Sequence, residues 1–175
     1  FRNKFSQRPN VEKHKADLQI YARVSGPQVS LAIDLTGNSL TQRNYKSQVG
    51  EAPLREHIAA GLLLLAKWDA AKNLLDPMCG SGTFLTEAAL IAINKGPGLY
   101  RKQFAFKNYR NFQAEAWTKA LHKANQLIQP DKIITIYGYD IDPRMIEKAK
   151  ENIKNAHLEK YIRIEQRALK DLKKI

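Results

Sequence analysis

The stretch Asp76-Pro77-Met78-Cys79-Gly80-Ser81-Gly82-Thr83-Phe84 constrains this chain more than any other. Leu74 and Leu75 before it read as the end of a buried strand, and residues 85–93 (LTEAALIAI) after it as a packed helix. Glycines between a strand and a helix let the backbone turn sharply and pass close to a ligand. The N–H groups left unpaired at the helix start then face outward, toward whatever binds. Asp76 falls at the strand's carboxyl end, where open α/β sheets hold their ligands. Strand, glycine turn and helix together predict an α/β sheet with a ligand cradle on its rim.

The downstream sequence supplies more of that sheet. Residues 133–137 (IITIY) form a β-branched run, the pattern of a strand buried on both faces. The run leads to Gly138-Tyr139-Asp140-Ile141-Asp142-Pro143, in which Asp142 can cap a helix and Pro143 can open it. Ile146, Ala149, Ile153 and Ala156 continue that helix at helical spacing, and the alternation over 161–166 suits an edge strand. The order strand–helix–strand–helix–strand is half of a doubly wound α/β sheet. Before it, Pro53 opens a predicted helix running to about Lys67, with Leu54, Ile58, Leu62 and Leu65 as its buried stripe and Glu56 at its positive end. A further helix is predicted over 112–128, with Ala116, Ala120, Leu121, Ala124 and Leu127 on one side.

The N-terminal part has a different character. Residues 1–15 (with Arg2, Lys4, Arg8, Lys13 and Lys15) read as an irregular lead-in. Leu18, Ile20, Ala22 and Val24, then Val29, Leu31, Ile33 and Leu35, alternate on either side of Ser25-Gly26-Pro27-Gln28, which predicts an antiparallel hairpin. A lone hairpin is marginal in water, so it is expected to belong to a larger module cut by the abrupt start of the chain. Residues 36–50 are polar and lack an apolar period, which predicts a linker or exposed loop.

Charge points to a polyanionic partner. With 29 Lys and Arg against 17 Asp and Glu, the net charge is +12, and such an excess favours nucleic acid through counterion release. Candidate RNA contacts are Arg43, Tyr45 and Lys46 in the polar stretch, and Arg101, Lys102, Lys107 and Arg110. The latter four are interleaved with Tyr100, Phe104, Phe106 and Tyr109, so bases could stack there; equally, those aromatics could anchor a loop. Cys79 is the one cysteine, and His14, His57, His122 and His157 are scattered, so neither a disulfide nor a metal site is expected. The longest apolar run, 59–66, is too short to span a bilayer, and no signal peptide opens the chain. A reduced, soluble, cytoplasmic protein without a membrane partner is the expectation.

Three nucleotide-type ligands compete for the glycine turn. A P-loop needs Gly-Lys-Ser/Thr, whereas Gly82 is followed by Thr83-Phe84. A dinucleotide fingerprint wants a third glycine where Leu85 stands, and an acid about 20 residues on, whereas Asp140 follows Gly82 by 58. S-adenosylmethionine carries an ammonium and a carboxylate, which suit Asp76 and the Gly80–Thr83 amides respectively. Asp140, at the tip of the second strand, can accept two ribose hydroxyls with its two oxygens.

Asp76 through Thr83 resembles motif I of the class I S-adenosylmethionine-dependent methyltransferases that modify guanine N2 in RNA. AIDLTGNSLTQRNYK, APLRE, INKGPGL and GYDIDPRMIEKAKENIKNA are similar, in the same order, to one subfamily. That subfamily is the bacterial large-subunit (23S) ribosomal RNA guanine-N2 methyltransferases, in which a THUMP RNA-binding domain precedes the catalytic domain. The resemblance covers nearly the whole chain. It implies the N-terminal half of a Rossmann-like sheet, three strands with flanking helices, preceded by the end of a THUMP domain. Its implied boundaries are 1–36 for THUMP, 37–50 for a linker and 51–175 for a truncated cofactor-binding half. It implies that Asp76, Pro77, Met78, Cys79, Gly80, Ser81, Gly82 and Thr83 line the methionine end of the cofactor. Asp140 would hold the ribose and Ile141 would lie against the adenine. Two departures stand out: Ala168 occupies the place of an acid near the adenine, with Asp171 three residues on, and no Asn-Pro-Pro-Tyr-type catalytic tetrapeptide occurs. The chain is therefore expected to hold cofactor but not to turn over alone, and to need missing parts of its parent chain. A tRNA enzyme of the THUMP family and a non-catalytic basic RNA-binding module on the same scaffold are the alternatives.

Overall fold

The computed structural model describes residues 2–7, 11–12, 16–51 and 53–172. Arg8, Lys13 and Lys15 of the expected lead-in, and Ala52 of the expected helix opening, lie outside the described residues. The chain divides into two compact units, Phe1–Ser39 with Gln103–Ala114, and Leu40–Lys102 with Glu115–Ile175.

The first unit holds the predicted hairpin. A single helical turn, α1 (Arg2–Phe5), precedes β1 (Gln19–Ser25) and β2 (Gln28–Asp34). The strands pair antiparallel from Gln19↔Asp34 to Ser25↔Gln28 about the Gly26-Pro27 turn. The register sets Ile20 opposite Ile33, Ala22 opposite Leu31 and Val24 opposite Val29, so one face is apolar. Asp34 ends β2: one carboxylate oxygen accepts from Thr36 N (2.7 Å), Thr36 Oγ1 (2.8 Å) and Gly37 N (3.1 Å). The later segment 103–114 docks here, with Phe106 N donating to Leu35 O at 2.9 Å. Phe106 packs against Phe104 and Phe112, with ring centroids 5.1 and 5.8 Å apart. Of the two readings of this aromatic stretch, anchoring is the one Phe104 and Phe106 follow.

The second unit is the α/β half. Its elements are α2 (Glu56–Leu65), β3 (Leu74–Asp76), α3 (Thr83–Ala92), α4 (Ala114–Gln126), β4 (Ile136–Asp140), α5 (Pro143–Asn155) and β5 (Ile162–Gln166). The three strands run parallel in the order β3-β4-β5, which places β5 at an edge as its alternation predicts. Asp142 caps α5 by accepting from Arg144 N at 2.8 Å, and Pro143 is its first residue. Ile146, Ala149 and Ile153 of α5 and Ala156 beyond it are buried as expected. Leu85 of α3, Ile136 of β4 and Leu158 after α5 have no exposed surface and form the centre of the core.

Several expectations are corrected. Helix α2 begins at Glu56, not Pro53, and its buried residues are Ala59 and Leu63. Ile58, Leu62 and Leu65, expected in the stripe, are 42%, 45% and 80% exposed. The sequence EHIAAGLLLL is apolar on nearly every face, so periodicity does not select the side that meets α3. Strand β4 starts three residues later than the β-branched run, and Ile133 points to solvent. The half-buried side of α4 and its end is Trp117, Leu121, Ala124 and Ile128, while Ala116, Ala120 and Leu127 are exposed. Residues 40–50, expected as linker, belong to the second unit, and Tyr45 among them is buried.

Gly138, in the middle of β4, is where the core tolerates no side chain. A Cβ there would overlap the Leu85 side chain and lie 3.3 Å from Cys79 Sγ. Gly138→Ala is expected to cost about 1–3 kcal/mol through overpacking, read as a lower urea midpoint. Adding Leu85→Ala removes the clashing atoms, so the double variant should lose clearly less stability than the two single losses added together. Strict additivity would contradict this packing.

Candidate functional site

The parallel pairing of β3 with β4 sets Asp76 opposite Gly138, so two strand ends carrying carboxylates, Asp76 and Asp140, lie side by side. Between them the glycine turn is fixed by its own amides. Met78 N donates to Asp76 Oδ1 (3.2 Å), Cys79 N to Tyr139 O (2.8 Å), Gly80 N to Asp140 Oδ2 (2.8 Å) and Gly82 N to Cys79 O (2.9 Å). The other oxygen of Asp140 accepts from Asp142 N at 2.9 Å. Gly80 and Gly82 both have positive φ (52° and 79°), which is why glycine stands at each. Gly82 is also crowded, since a Cβ there would sit 3.1 Å from Ala149 Cβ on α5. Thr83 opens α3, whose first-turn N–H groups have no intrahelical acceptors.

A cleft of about 380 Å³ opens over this turn, within the range of small-ligand sites. Of the residues expected at the methionine end of a cofactor, Asp76, Pro77, Met78, Cys79, Gly80, Ser81 and Thr83 line it. Gly82 does not; it faces α5 instead. Asp140 and Ile141 stand beyond the lining, Asp140 tied to Gly80 and Ile141 exposed at 69%. The sequence reading missed the opposing wall, Gly50, Glu51, Pro53 and Leu54, together with Phe84 and Met145. The available signal was a Gly-Glu…Pro segment without periodicity directly before a helix.

Burial governs the acid–base state of the cleft. It pushes the Asp76 carboxyl above its ordinary value, Met78 N opposes this, and the Asp140 charge adds to it. Burial, with the charges of Asp76 and Asp140, pushes the Cys79 thiol up to about 12. Cys79 is therefore a neutral, packed thiol rather than a nucleophile.

The first group of expected RNA contacts is corrected. Tyr45 is 2% exposed, and its hydroxyl donates to Glu87 Oε1 at 2.8 Å, leaving no ring face for a base. Arg43 lies 3.5 Å from the same Glu87 oxygen, with its side chain largely buried. Lys46 donates to Leu54 O (2.8 Å) and Thr83 Oγ1 (2.9 Å), spanning from one wall of the cleft to the other. A polar stretch without apolar period can still be packed when its polar groups find partners, and Tyr45 and Lys46 do. Of the second group, Lys102 and Arg110 are exposed, while Arg101 and Lys107 are half-buried. The four are divided between the two units. Among the described residues no cluster of three or more His, Cys, Asp or Glu could hold a metal, and no helix is long and apolar enough to cross a membrane.

Comparison with known proteins gives consistent matches. The family described as RMKL-like, methyltransferase domain, matches residues 43–175. A curated relative, the ribosomal RNA large subunit methyltransferase K/L of Aliivibrio salmonicida, is 43% identical over 159 residues, covering 89% of this chain and 23% of its own. The crystal structure of SMU.472 complexed with SAH superposes with a TM-score of 0.82 at 36% identity, covering 90% of this chain and 41% of that one. A possible methylase from Clostridium difficile 630 gives a TM-score of 0.86 at 35% identity, covering 99% and 45%. The chain thus spans about a quarter of the length of the curated relatives it matches.

The buried Glu87 yields a pH test. Burial holds its carboxyl above the ordinary value of 4.5, against the lowering by Tyr45 and Arg43. The folded state therefore binds this proton more tightly than the unfolded one. The stability this adds is complete below 4.5 and is lost as pH rises through the raised value. Glu87→Gln lacks this titration. In urea unfolding, the parent should lose stability relative to Glu87→Gln as pH rises above 4.5, then level off. A difference that is flat, or that grows in the parent's favour, would contradict it.

Proposed function

The chain belongs to the RMKL-like methyltransferase family, and from that premise we propose that it holds S-adenosylmethionine in the cleft over the glycine turn. As part of a longer enzyme, it would serve methyl transfer to a guanine N2 of large-subunit ribosomal RNA. The observation that carries this is the join of two strand-end acids through one glycine turn, with Asp140 Oδ2 2.8 Å from Gly80 N. The SAH bound to a structural neighbour at 36% identity and the rRNA methyltransferases among the relatives support the same reading.

The residues present fit such a ligand. Asp76 offers a carboxylate for the ammonium of the methionine, and a cation there relieves the repulsion between Asp76 and Asp140. The N–H groups of the turn and of the first turn of α3 suit the methionine carboxylate. Two of the roughly four acceptor positions of the Asp140 carboxylate are engaged by Gly80 and Asp142. The remainder can take the two ribose hydroxyls. Ile141, apolar and exposed next to it, gains burial if an adenine covers it.

The bound cofactor would supply a methyl group made electrophilic by its sulfonium. This chain's own part is to bind it, to orient it against the turn and to shield one side with the 50–54 wall. Presenting guanine requires a group that accepts hydrogen bonds from the exocyclic amine while its lone pair is aimed at the methyl. No Asn-Pro-Pro occurs in these residues to do so. The net charge of +12 suits an RNA partner. The hairpin, which we read as the end of a THUMP module, belongs to that RNA-facing part.

Calorimetry with S-adenosylhomocysteine tests the reading. The parent chain should bind, and Asp140→Ala and Asp76→Asn should each weaken binding at least tenfold. Added undermethylated rRNA and labelled cofactor should give no turnover. A folded parent that releases no heat would overturn the cofactor assignment, and appreciable turnover would overturn the need for the missing tetrapeptide.

A further inference from the structure

Asn152 lies on α5, is 1% exposed and does not line the cleft, yet it ties the glycine turn to the residues that lead into the facing wall. Its Oδ1 accepts from Ser47 N and Gln48 N, each at 3.1 Å. Its Nδ2 donates to Gln48 O at 2.8 Å and to Ser81 O at 3.1 Å. Both amide hydrogens and both oxygen lone pairs are thereby used. Ser81 belongs to the glycine turn, and Ser47-Gln48 leads directly into Gly50 of the facing wall. Breaking such a buried and saturated amide leaves several backbone groups unpaired at once.

Lys46 makes a second crossing from the other side. Its ammonium joins Leu54 O on the facing wall to Thr83 Oγ1 at the start of α3. Beside these crossings, α5 holds the irregular strap of residues 47–49 with further bonds. Lys148 Nζ donates to Val49 O (2.9 Å) and Asn155 Nδ2 to Ser47 Oγ (2.8 Å). Gly50 meets Met145 so closely that a Cβ there would sit 3.4 Å from its sulfur. Residues 46–50 therefore lack regular structure but are pinned from both sides.

We propose that Asn152 and Lys46 are positioning residues for the methyl donor: they act as two struts that set the separation of the glycine turn from the 50–54 wall. Neither lines the cleft between them, so their effect on the ligand passes through Ser81, Thr83 and Leu54. This rests on the cofactor reading given above. It assigns to Lys46 a role within the fold of the site, in place of an RNA contact.

The test compares S-adenosylhomocysteine binding by the parent chain, Asn152→Ala, Lys46→Met and a control, Ile162→Val. Ile162 is buried in β5 away from the cleft, and its truncation lowers stability without touching either strut. Asn152→Ala and Lys46→Met should each bind at least tenfold more weakly than the parent while remaining folded, and Ile162→Val should bind like the parent. Parent-like affinity in both folded strut variants, or equal weakening in the control, overturns the proposal. If Asn152→Ala does not fold, Lys46→Met decides the matter. If the parent itself does not bind, the cofactor reading fails, and the struts are judged by amide hydrogen exchange. The Gly80 and Gly82 amides, which do not bond to Asn152, should then exchange at least tenfold faster in Asn152→Ala or Lys46→Met than in Ile162→Val. Equal protection there overturns the struts independently of any ligand.

Discussion

The hydrogen bond from Gly80 N to the Asp140 carboxylate, 2.8 Å long, is the contact on which the cleft depends. It joins the end of one parallel strand to the turn that follows its neighbour. The turn residues could not hold a ligand-facing shape if they hung freely from β3. With Cys79 N on Tyr139 O as a second tether, the turn becomes an extension of β4 as much as of β3. The cost is a carboxyl held in a partly buried place beside a second acid: burial first, and the Asp140 charge after it, push the Asp76 pKa up. Sites that must attract a cationic group are where such a like-charge arrangement has a purpose.

Packing beneath the turn explains why two glycines are needed there. Gly138 gives Leu85 the space to reach the sheet, and Gly82 lets α5 approach through Ala149. The sheet, α3 and α5 can then close on one core with Leu85, Ile136 and Leu158 fully buried. The facing wall has no such regular support. The irregular residues 45–49 lead into it, and side chains from α5 and the buried Tyr45–Glu87 pair hold them.

The sheet, the turn and the two acids were legible in the sequence because each rests on a local signal. These signals were a strand followed by Gly-Ser-Gly, a β-branched run ending in an acid, and Asp142-Pro143 at a helix start. The orientation of α2 was not legible, since a helix apolar on nearly every side buries whichever face its neighbour offers. The strap was misread for the opposite reason. Polar residues such as Lys46, Ser47 and Gln48 look like solvated loop until their distant partners, Thr83, Glu151 and Asn152, are known. Likewise, the association of residues 103–114 with the hairpin is a long-range pairing of Phe106 N with Leu35 O, and no local pattern announces it.

The central claim is that the methyl donor lies along the glycine turn, between the two strand-end acids and the 50–54 wall. A titration of the isotope-labelled chain with S-adenosylhomocysteine, followed by amide chemical shifts, reads this residue by residue. The account predicts that the largest saturable shifts fall on Gly80, Ser81, Thr83 and Ile141, with accompanying shifts at Gly50 and Leu54. The hairpin, Gln19 to Asp34, should be unaffected. Saturable shifts confined to the hairpin or the 103–114 segment, or none at all in the folded chain, would contradict it.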